Sequence, residues 1–255
     1  REGGDKGHAN GVHFQKEAGK FSATEVKLPG KVETFSPTLW AVDLGNGKAS
    51  LVAGIGAPAV LFNKEGKGVF EPVVLSGAPA ADAGVTGPCV AADFDGDGFV
   101  DILQISQKSS FLWRGKGGGS FEAGAACGAG MGTAKSRHAG VADLDGDGAL
   151  DILLMGGDRT PVLLQHRAAR FEDLMRQTGE PSYIIQSGAH CAALGDFNND
   201  TFVDFFIGYE SEICQFFFNR GFRSFAIAEP LKFKEDDVPG AANGHATAPA
   251  LIWLA

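Results

Sequence analysis

The chain has 255 residues, 44% of them hydrophobic, and a formal net charge of −9. That length allows one large domain or two small ones, and an acidic chain without a basic run argues against a nucleic-acid partner. The longest apolar stretch, about residues 51–62, is interrupted by Gly and Pro and is too short to span a bilayer.

Glycine is abundant at 37 residues, and 20 Phe stand against 2 Tyr, a mix that suits many short strands joined by tight turns. In chain order, residues 11–21 read as the last hairpin of a unit and end at Phe21. Four units of one design follow, at about 22–70, 71–121, 122–171 and 172–225. Each opens with a strand of small apolar residues: Leu39-Trp40-Ala41-Val42, Val90-Ala91-Ala92, Gly140-Val141-Ala142 and Ala192-Ala193-Leu194. An acidic loop comes next, then a second apolar strand (Ile102-Leu103, Ile152-Leu153-Leu154, Phe205-Phe206-Ile207). The third strand carries Val60-Leu61-Phe62, Phe111-Leu112-Trp113, Val162-Leu163-Leu164 or Gln215-Phe216-Phe217-Phe218. A turn then leads to a fourth strand marked by Phe70, Phe121, Phe171 or Phe225. Residues 245–255 form a last partial unit, in which Pro249-Ala250-Leu251-Ile252-Trp253 parallels Pro37-Thr38-Leu39-Trp40.

Two markers set the period. The first Asp of the acidic loop recurs at Asp93, Asp143 and Asp196, spaced by 50 and 53 residues, with a degenerate copy at Asp43. The marker Phe recurs at intervals of 49, 51, 50 and 54 residues. Two unrelated markers keeping one period indicate a repeat architecture. Four short strands per unit of about fifty residues predict a β-propeller blade. The expected fold is therefore all-β, a single propeller domain over residues 1–255 with four complete repeats and partial blades at both ends. If the ends share a closing blade there are five. A stretch of a longer propeller of seven or eight blades is the favoured reading, because four units alone leave open edges. A start at Arg1 rather than Met fits a processed or excised polypeptide.

The loops carry oxygen side chains at positions 1, 3, 5 and 9: Asp93, Asp95, Asp97 and Asp101; Asp143, Asp145, Asp147 and Asp151; Asp196, Asn198, Asp200 and Asp204. Their eleven aspartates exceed the whole net charge, so the acidity is concentrated there. Ca²⁺ takes six to eight oxygens at about 2.3–2.6 Å, and this spacing wraps oxygens around one point. The backbone carbonyls of Phe99, Ala149 and Phe202 at position 7 are further candidate ligands. Gly96, Gly98, Gly146 and Gly148 permit the tight turn. About three structural Ca²⁺ ions are expected, the one at residues 196–204 weaker because Asn198 and Thr201 replace Asp and Gly. The copy at Asp43 has Gly45, Asn46 and Ser50 where carboxylates would stand and is expected to bind no ion.

A loop of this form within a fifty-residue, four-strand unit resembles the FG-GAP/VCBS repeat, the repeat of the integrin α-subunit propeller. Gly54-Ile55-Gly56-Ala57-Pro58 is similar to its "GAP" element, and the resemblance runs over nearly the whole chain. It implies a calcium-binding propeller and leaves the activity open, since one fold hosts many functions.

No GxSxG, HExxH or phosphate-binding Gly-Lys-Ser/Thr motif is present, and the glycines at 115–119 read as a hairpin turn. His138, His190 and His245 each fall near the start of a first strand, where they would either hydrogen-bond at the blade tops or face a central channel. Trp40 and Trp253 are expected to pack. Cys89, Cys127, Cys191 and Cys214 show no CxxC spacing, so zinc is not expected; three disulfide pairings and free thiols all stay open. The expected function is a non-catalytic, calcium-stabilised module that binds a protein or glycan at an extracellular, cell-surface or periplasmic location. The alternatives are a propeller domain of a polysaccharide-degrading enzyme and a structural subunit of a larger assembly.

Overall fold

The computed structural model describes residues 14–18, 20–22, 39–54, 58–66, 69–77, 86–129, 136, 138–155, 162–167, 170–173, 189–209, 214–221 and 225–227. The partial unit at 245–255, with His245 and Trp253, lies outside them.

A short antiparallel pair, β1 (Phe14–Glu17) and β2 (Lys20–Ser22), precedes four sheets of four strands each. Sheet 1 runs β3 (Leu39–Asp43), β4 (Ala49–Ala53), β5 (Ala59–Phe62), β6 (Glu71–Val73). Sheet 2 runs β7 (Thr86–Ala92), β8 (Asp101–Ser106), β9 (Ser109–Trp113), β10 (Ala125–Ala129). Sheet 3 comprises β11 (His138–Ala142), β12 (Asp151–Met155), β13 (Val162–Arg167) and β14 (Arg170–Asp173). Sheet 4 comprises β15 (Ala189–Gly195), β16 (Asp204–Tyr209), β17 (Gln215–Asn219) and β18 (Phe225–Ile227). Every neighbouring pair is antiparallel and consecutive in the chain. Among the described residues no helix is long and apolar enough to cross a membrane.

Three hydrophobic cores lie between successive sheets. Val52, Val60 and Phe62 of sheet 1 meet Ala91, Ile102 and Trp113 of sheet 2. Val90, Leu103, Ile105 and Leu112 of sheet 2 meet Ala139, Ile152 and Leu154 of sheet 3. Leu153 and Met155 of sheet 3 meet Phe205, Ile207 and Phe217 of sheet 4. The sheets are therefore stacked face to face in sequence order, and the middle strands β8 and β12 are buried along their whole length. Burial on both faces is why they lack the polar alternation of a half-wet strand.

First strands lie beside first strands: β3 against β7, β7 against β11, β11 against β15. Their small residues follow from this crowding. A Cβ on Gly140 would sit 2.6 Å from Leu194 Cδ1 of the next sheet, so a larger residue there would push the Leu194 side chain aside.

The two sequence markers turn out to be halves of one contact. The second residue of each acidic loop, Leu44, Phe94 or Leu144, is buried in the core shared with the next sheet. There it joins that next sheet's marker Phe: Leu44 with Phe121, Phe94 with Phe171, Leu144 with Phe225. Phe94 and Phe171 meet edge to face, ring centroids 5.4 Å apart. Phe197 holds the same position in sheet 4, has no described sheet over it, and is 44% exposed.

The marker does not always sit in the strand it announces. Phe171 and Phe225 do lie in β14 and β18, and Phe70 immediately precedes β6. Phe121 instead bridges back to Gly115, and β10 begins four residues later at Ala125. Gly117, Gly118 and Gly119, all with positive φ, coil the chain tightly enough to allow this.

Specific hydrogen bonds also join the sheets. Trp40 Nε1–H donates to the Cys89 carbonyl at 2.9 Å, joining sheets 1 and 2, as expected of a packing residue. Trp113 Nε1–H donates to the Ser76 carbonyl at 2.7 Å. All four cysteines are free thiols, with Cys89, Cys127 and Cys191 buried. Burial alone pushes the Cys89 thiol up to about 12.

Trp40→Phe keeps the ring in place and removes only the donor. It should cost about 1 kcal/mol, the typical net worth of such a bond, read as a lower urea midpoint at unchanged slope. An unchanged midpoint would show that this bond adds nothing to the packing of sheets 1 and 2.

Candidate metal centre

Each acidic loop connects the first and second strands of its sheet, and related hydrogen bonds shape the copies. The carboxylate at position 1 gathers backbone amides. Asp93 Oδ1 accepts from Gly96 N–H (2.8 Å) and Asp97 N–H (3.2 Å), and Oδ2 from Gly98 N–H (2.9 Å). Asp143 accepts from Gly146, Asp147 and Gly148 at 2.7, 3.2 and 2.9 Å. Asp196 accepts from Asp200 and Thr201 at 3.0 and 2.9 Å. Asp43 does the same for Gly45, Asn46 and Gly47, and these amides hold its carboxyl below the usual range, that of Asn46 contributing most.

Position 9 is a buried clamp. Asp101 is fully buried; its Oδ2 accepts from Phe94 N–H at 3.0 Å and its Oδ1 from Gly115 N–H at 2.8 Å. Asp204 makes the same pair with Phe197 N–H (2.9 Å) and Asn219 N–H (2.8 Å). Asp151 Oδ2 accepts from Leu144 N–H at 2.8 Å. In sheet 1 the buried Ser50 Oγ takes over, accepting from Asn63 N–H at 3.1 Å. Strand register aligns Ser50 with Asp101, so this first loop is one residue shorter than the other three.

In two loops the carboxylates converge. Asp93, Asp95 and Asp101 each offer an oxygen within 4.8 Å of the others, and so do Asp143, Asp145 and Asp151. That spread fits one coordination sphere, since oxygens about 2.3–2.6 Å from a shared ion stand up to about 5 Å apart. An all-oxygen donor set suits a hard divalent cation, Ca²⁺ above all. Positions 1, 3 and 9 therefore meet, while the position-5 carboxylates turn to the amide two residues on: Asp97 to Phe99 N–H, Asp147 to Ala149 N–H, Asp200 to Phe202 N–H. Among the described residues the loop at 196–204 forms no such trio. Its third position is Asn198, whose Nδ2–H donates to Asp200 Oδ2 at 2.9 Å. The side chains at position 7 lie over hairpin turns: a Cβ on Gly117 would meet Phe99 Cε1 at 2.6 Å, and one on Gly221 would meet Phe202 Cζ at 3.4 Å.

Two site features escape the sequence pattern. Asn219 Nδ2–H donates to the Leu144 carbonyl of the preceding sheet's loop at 2.7 Å and to the Val203 carbonyl at 3.1 Å. Asn63 likewise donates to the Ala49 carbonyl at 3.0 Å. The Phe-Asn pair closing both third strands (Phe62-Asn63, Phe218-Asn219) is the signal that marks them. The other is Arg114, whose Nε–H donates to Asp95 Oδ2 at 3.0 Å. His138 and His190 fall in the first strands β11 and β15.

These features define a class of protein: an all-β array of four-stranded antiparallel sheets, each turning through an acidic loop between its first two strands. Residues 93–154 and again 143–207 match the FG-GAP-like repeat family, so this part of the chain carries FG-GAP-like repeats. No curated protein matches it. Among solved structures, an Agrocybe aegerita lectin described as recognising non-reducing terminal N-acetylglucosamine aligns at 21% identity and TM-score 0.53, over 74% of this chain and 50% of the lectin. The Photorhabdus luminescens Tc holotoxin pore aligns at 20% identity and TM-score 0.43, over 81% of this chain and 10% of that one. The chain thus spans half of the lectin's length and a tenth of the toxin chain's. The lectin match shows a shared fold.

Two outcomes test this geometry. Thr201 adopts φ +76° where the loops at 93–101 and 143–151 have Gly98 and Gly148. A left-handed conformation costs a side-chain-bearing residue about 1–2 kcal/mol, partly offset by the extra unfolded-state freedom of glycine. Thr201→Gly should therefore stabilise the protein by about 0.5–1 kcal/mol in denaturant unfolding; a loss would contradict the strain.

The second outcome concerns Asp101. Burial raises its carboxyl from 3.8 to about 6, against the lowering effect of the Gly115 and Phe94 amides. A folded pKa above the unfolded one favours the protonated native state. This contribution is complete below about pH 4 and is lost as pH rises through 6. In chelator-treated protein, NMR of the carboxyl carbons should show Asp101 titrating near pH 6. A midpoint near 4 would refute the burial argument.

Proposed function

We propose that the chain is a non-catalytic, calcium-stabilised propeller that presents a protein- or glycan-binding surface outside the cytoplasm. The observation that carries the calcium reading is the convergence of three carboxylate oxygens within 4.8 Å at the same positions of two successive repeats. Such charges crowd together at a cost that a divalent cation removes. Asp93, Asp95 and Asp101, with Asp143, Asp145 and Asp151, would hold the ions. The position-5 carboxylates and the carbonyls of Phe99 and Ala149 complete the donor set by small rotations of the loop. The loop at 196–204 is a weaker third site, through Asp196, Asn198, Asp200, Phe202 and Asp204.

The ions are structural. They tie the first two strands of a sheet to the loop whose second residue anchors the next sheet. An extracellular, cell-surface or periplasmic location suits sites filled by abundant free Ca²⁺. The stacked sheets continue a radial arrangement that closes with further blades, seven or eight in all. The glycan side of the reading draws support from the shared fold with a lectin described as recognising terminal N-acetylglucosamine.

Thermal melting tests the calcium reading. A site held at a hundred times its Kd stabilises the fold by about 2.7 kcal/mol, and each kcal/mol moves the melting temperature of a chain this size by about 2–4 °C. EGTA should lower the midpoint by about 5–10 °C, and Asp95→Ala with Asp145→Ala should abolish the response. A midpoint indifferent to EGTA would reject the ions as structural. Glycan-array binding by the calcium-loaded protein tests the partner: retention of N-acetylglucosamine-terminated glycans without their turnover is expected, and turnover would favour an enzyme.

A further inference from the structure

In the second strands of sheets 2 and 3, the residue four past the loop's last aspartate packs toward the following sheet. Ile105 and Met155 hold that place, and both are buried in the core. Sheet 4 has Gly208 there. Phe205 and Ile207 face sheet 3, so strand alternation turns the open side of Gly208 the other way. Two thiols take the room a side chain would fill. A Cβ on Gly208 would stand 2.7 Å from Cys191 Sγ and 3.9 Å from Cys214 Sγ.

Strand register explains the meeting. Cys191 in β15 lies directly opposite Gly208 in β16, beside a register shift in β15. On the other side Ile207 pairs with Gln215, so one step further along Cys214 reaches Gly208. The glycine thus stands between two cysteines from its flanking strands, and both sulfurs lean over it. Neighbouring strands run about 4.7–4.9 Å apart, so the two cysteine Cα atoms are separated by about twice that. A disulfide spans about 4.4–6.8 Å between Cα atoms, so this pair closes into one only if the strands part. An ion between the sulfurs supplies the missing reach, with two metal–sulfur bonds of about 2.3 Å each.

We propose that Cys191 and Cys214 form a two-thiolate site for a soft monovalent cation, Cu⁺ in kind, seated over Gly208. Thiolates select such ions over the hard cations that suit the acidic loops. Structural Zn²⁺ wants four ligands, whereas Cu⁺ accepts two opposed sulfurs. The surroundings are apolar: Phe206 and Phe216, two residues from Gly208 and Cys214, meet with ring centroids 4.8 Å apart. Cys191 is buried, while Cys214 is half-buried and offers the way in. Burial first, and then the neighbouring Cys214 thiol, holds the Cys191 thiol above its ordinary value. Binding therefore releases protons. Each sulfur gives its proton to solvent and donates an electron pair to the ion, and no electron is transferred. The ion's charge offsets one of the two thiolate charges that would otherwise repel. Gly208 lies near the end of β16 away from the loop at 196–204, so the site is independent of the calcium reading.

The test uses the full chain, reduced and free of oxygen, with Ca²⁺ present and Cu⁺ supplied as its bicinchoninate complex. Bleaching of that complex should show one Cu⁺ taken up per chain. Cys191→Ser and Cys214→Ser, the latter at a half-buried position, should each abolish the uptake, and Cys127→Ala should keep it. Gly208→Ala leaves both thiols in place and puts a methyl group against them. Affinity should then fall about 10–100-fold, the range seen when residues that orient metal ligands are changed. X-ray absorption of the copper-loaded protein should show two sulfur neighbours. No uptake by the unmodified chain, or uptake that survives Cys214→Ser, would overturn the proposal. A Cys191–Cys214 disulfide found by mass spectrometry of the unreduced protein would overturn it as well, because the sulfurs would then be close enough to need no ion.

Discussion

One buried acceptor at the end of each acidic loop ties together parts of the sheet that sequence separates. Asp101 receives the amide of Phe94 at the loop's entry and the amide of Gly115 at the exit of the third strand. Loop, second strand and third strand are thus held at a single carboxylate shielded from water. Removing an acceptor from two buried donors costs more than the bonds are worth in isolation, because each donor is left unsatisfied. The same construction recurs at Asp204, and at Ser50 a hydroxyl accepts the amide at the third strand's exit, that of Asn63.

From that clamp the stacking of the sheets follows. Fixing the amide of position 2 fixes the direction of its side chain, which enters the core shared with the next sheet at Phe94 and Leu144. Its carbonyl is fixed as well, and the next sheet's last hairpin reaches it: Gly119 N–H donates to the Leu44 carbonyl at 3.0 Å and Asn219 Nδ2–H to that of Leu144 at 2.7 Å. A local turn therefore carries long-range information, the placement of a sheet some seventy residues further on. A cation bound by Asp93, Asp95 and Asp101 would act on this junction, which is how a surface ion could stabilise a core it never touches.

Much of this was legible because the repeat is written twice. The Asp and Phe markers keep one period for a physical reason: position 2 of one loop packs with the marker Phe of the following unit, as Phe94 does with Phe171. Strand positions followed from apolar runs between turn residues, and the small residues of the first strands from the crowding that Gly140 makes visible. Other features were not legible. The offset of β10 from Phe121 depends on three consecutive left-handed glycines, whose φ values a composition does not reveal. The shortened loop at Asp43 hides in a string that aligns well by eye, and only the pairing of Ser50 beside Leu51 and Leu61 exposes the missing residue. Arg114 reads as an ordinary surface charge until the strand register brings it back to Asp95.

The degenerate loop at Asp43 separates two properties that the acidic motif merges. It keeps the amide-gathering carboxylate and the buried position-9 acceptor, and it keeps the turn: Gly45 and Gly47 have positive φ, as Gly96 and Gly98 do. It has lost the carboxylates at the remaining positions. Shape is thus carried by one aspartate, two residues able to adopt positive φ and one buried oxygen acceptor, all bonded to backbone. The further carboxylates stand at positions 3 and 5, and the loop at Asp43 keeps its turn without them. Positions 3 and 5 are consequently free to vary within a fixed frame, from the Asp pairs of 93–101 and 143–151, through the Asn198 of the later loop, to none at Asp43. A graded series of cation affinities on one rigid fold is what such a division of labour permits.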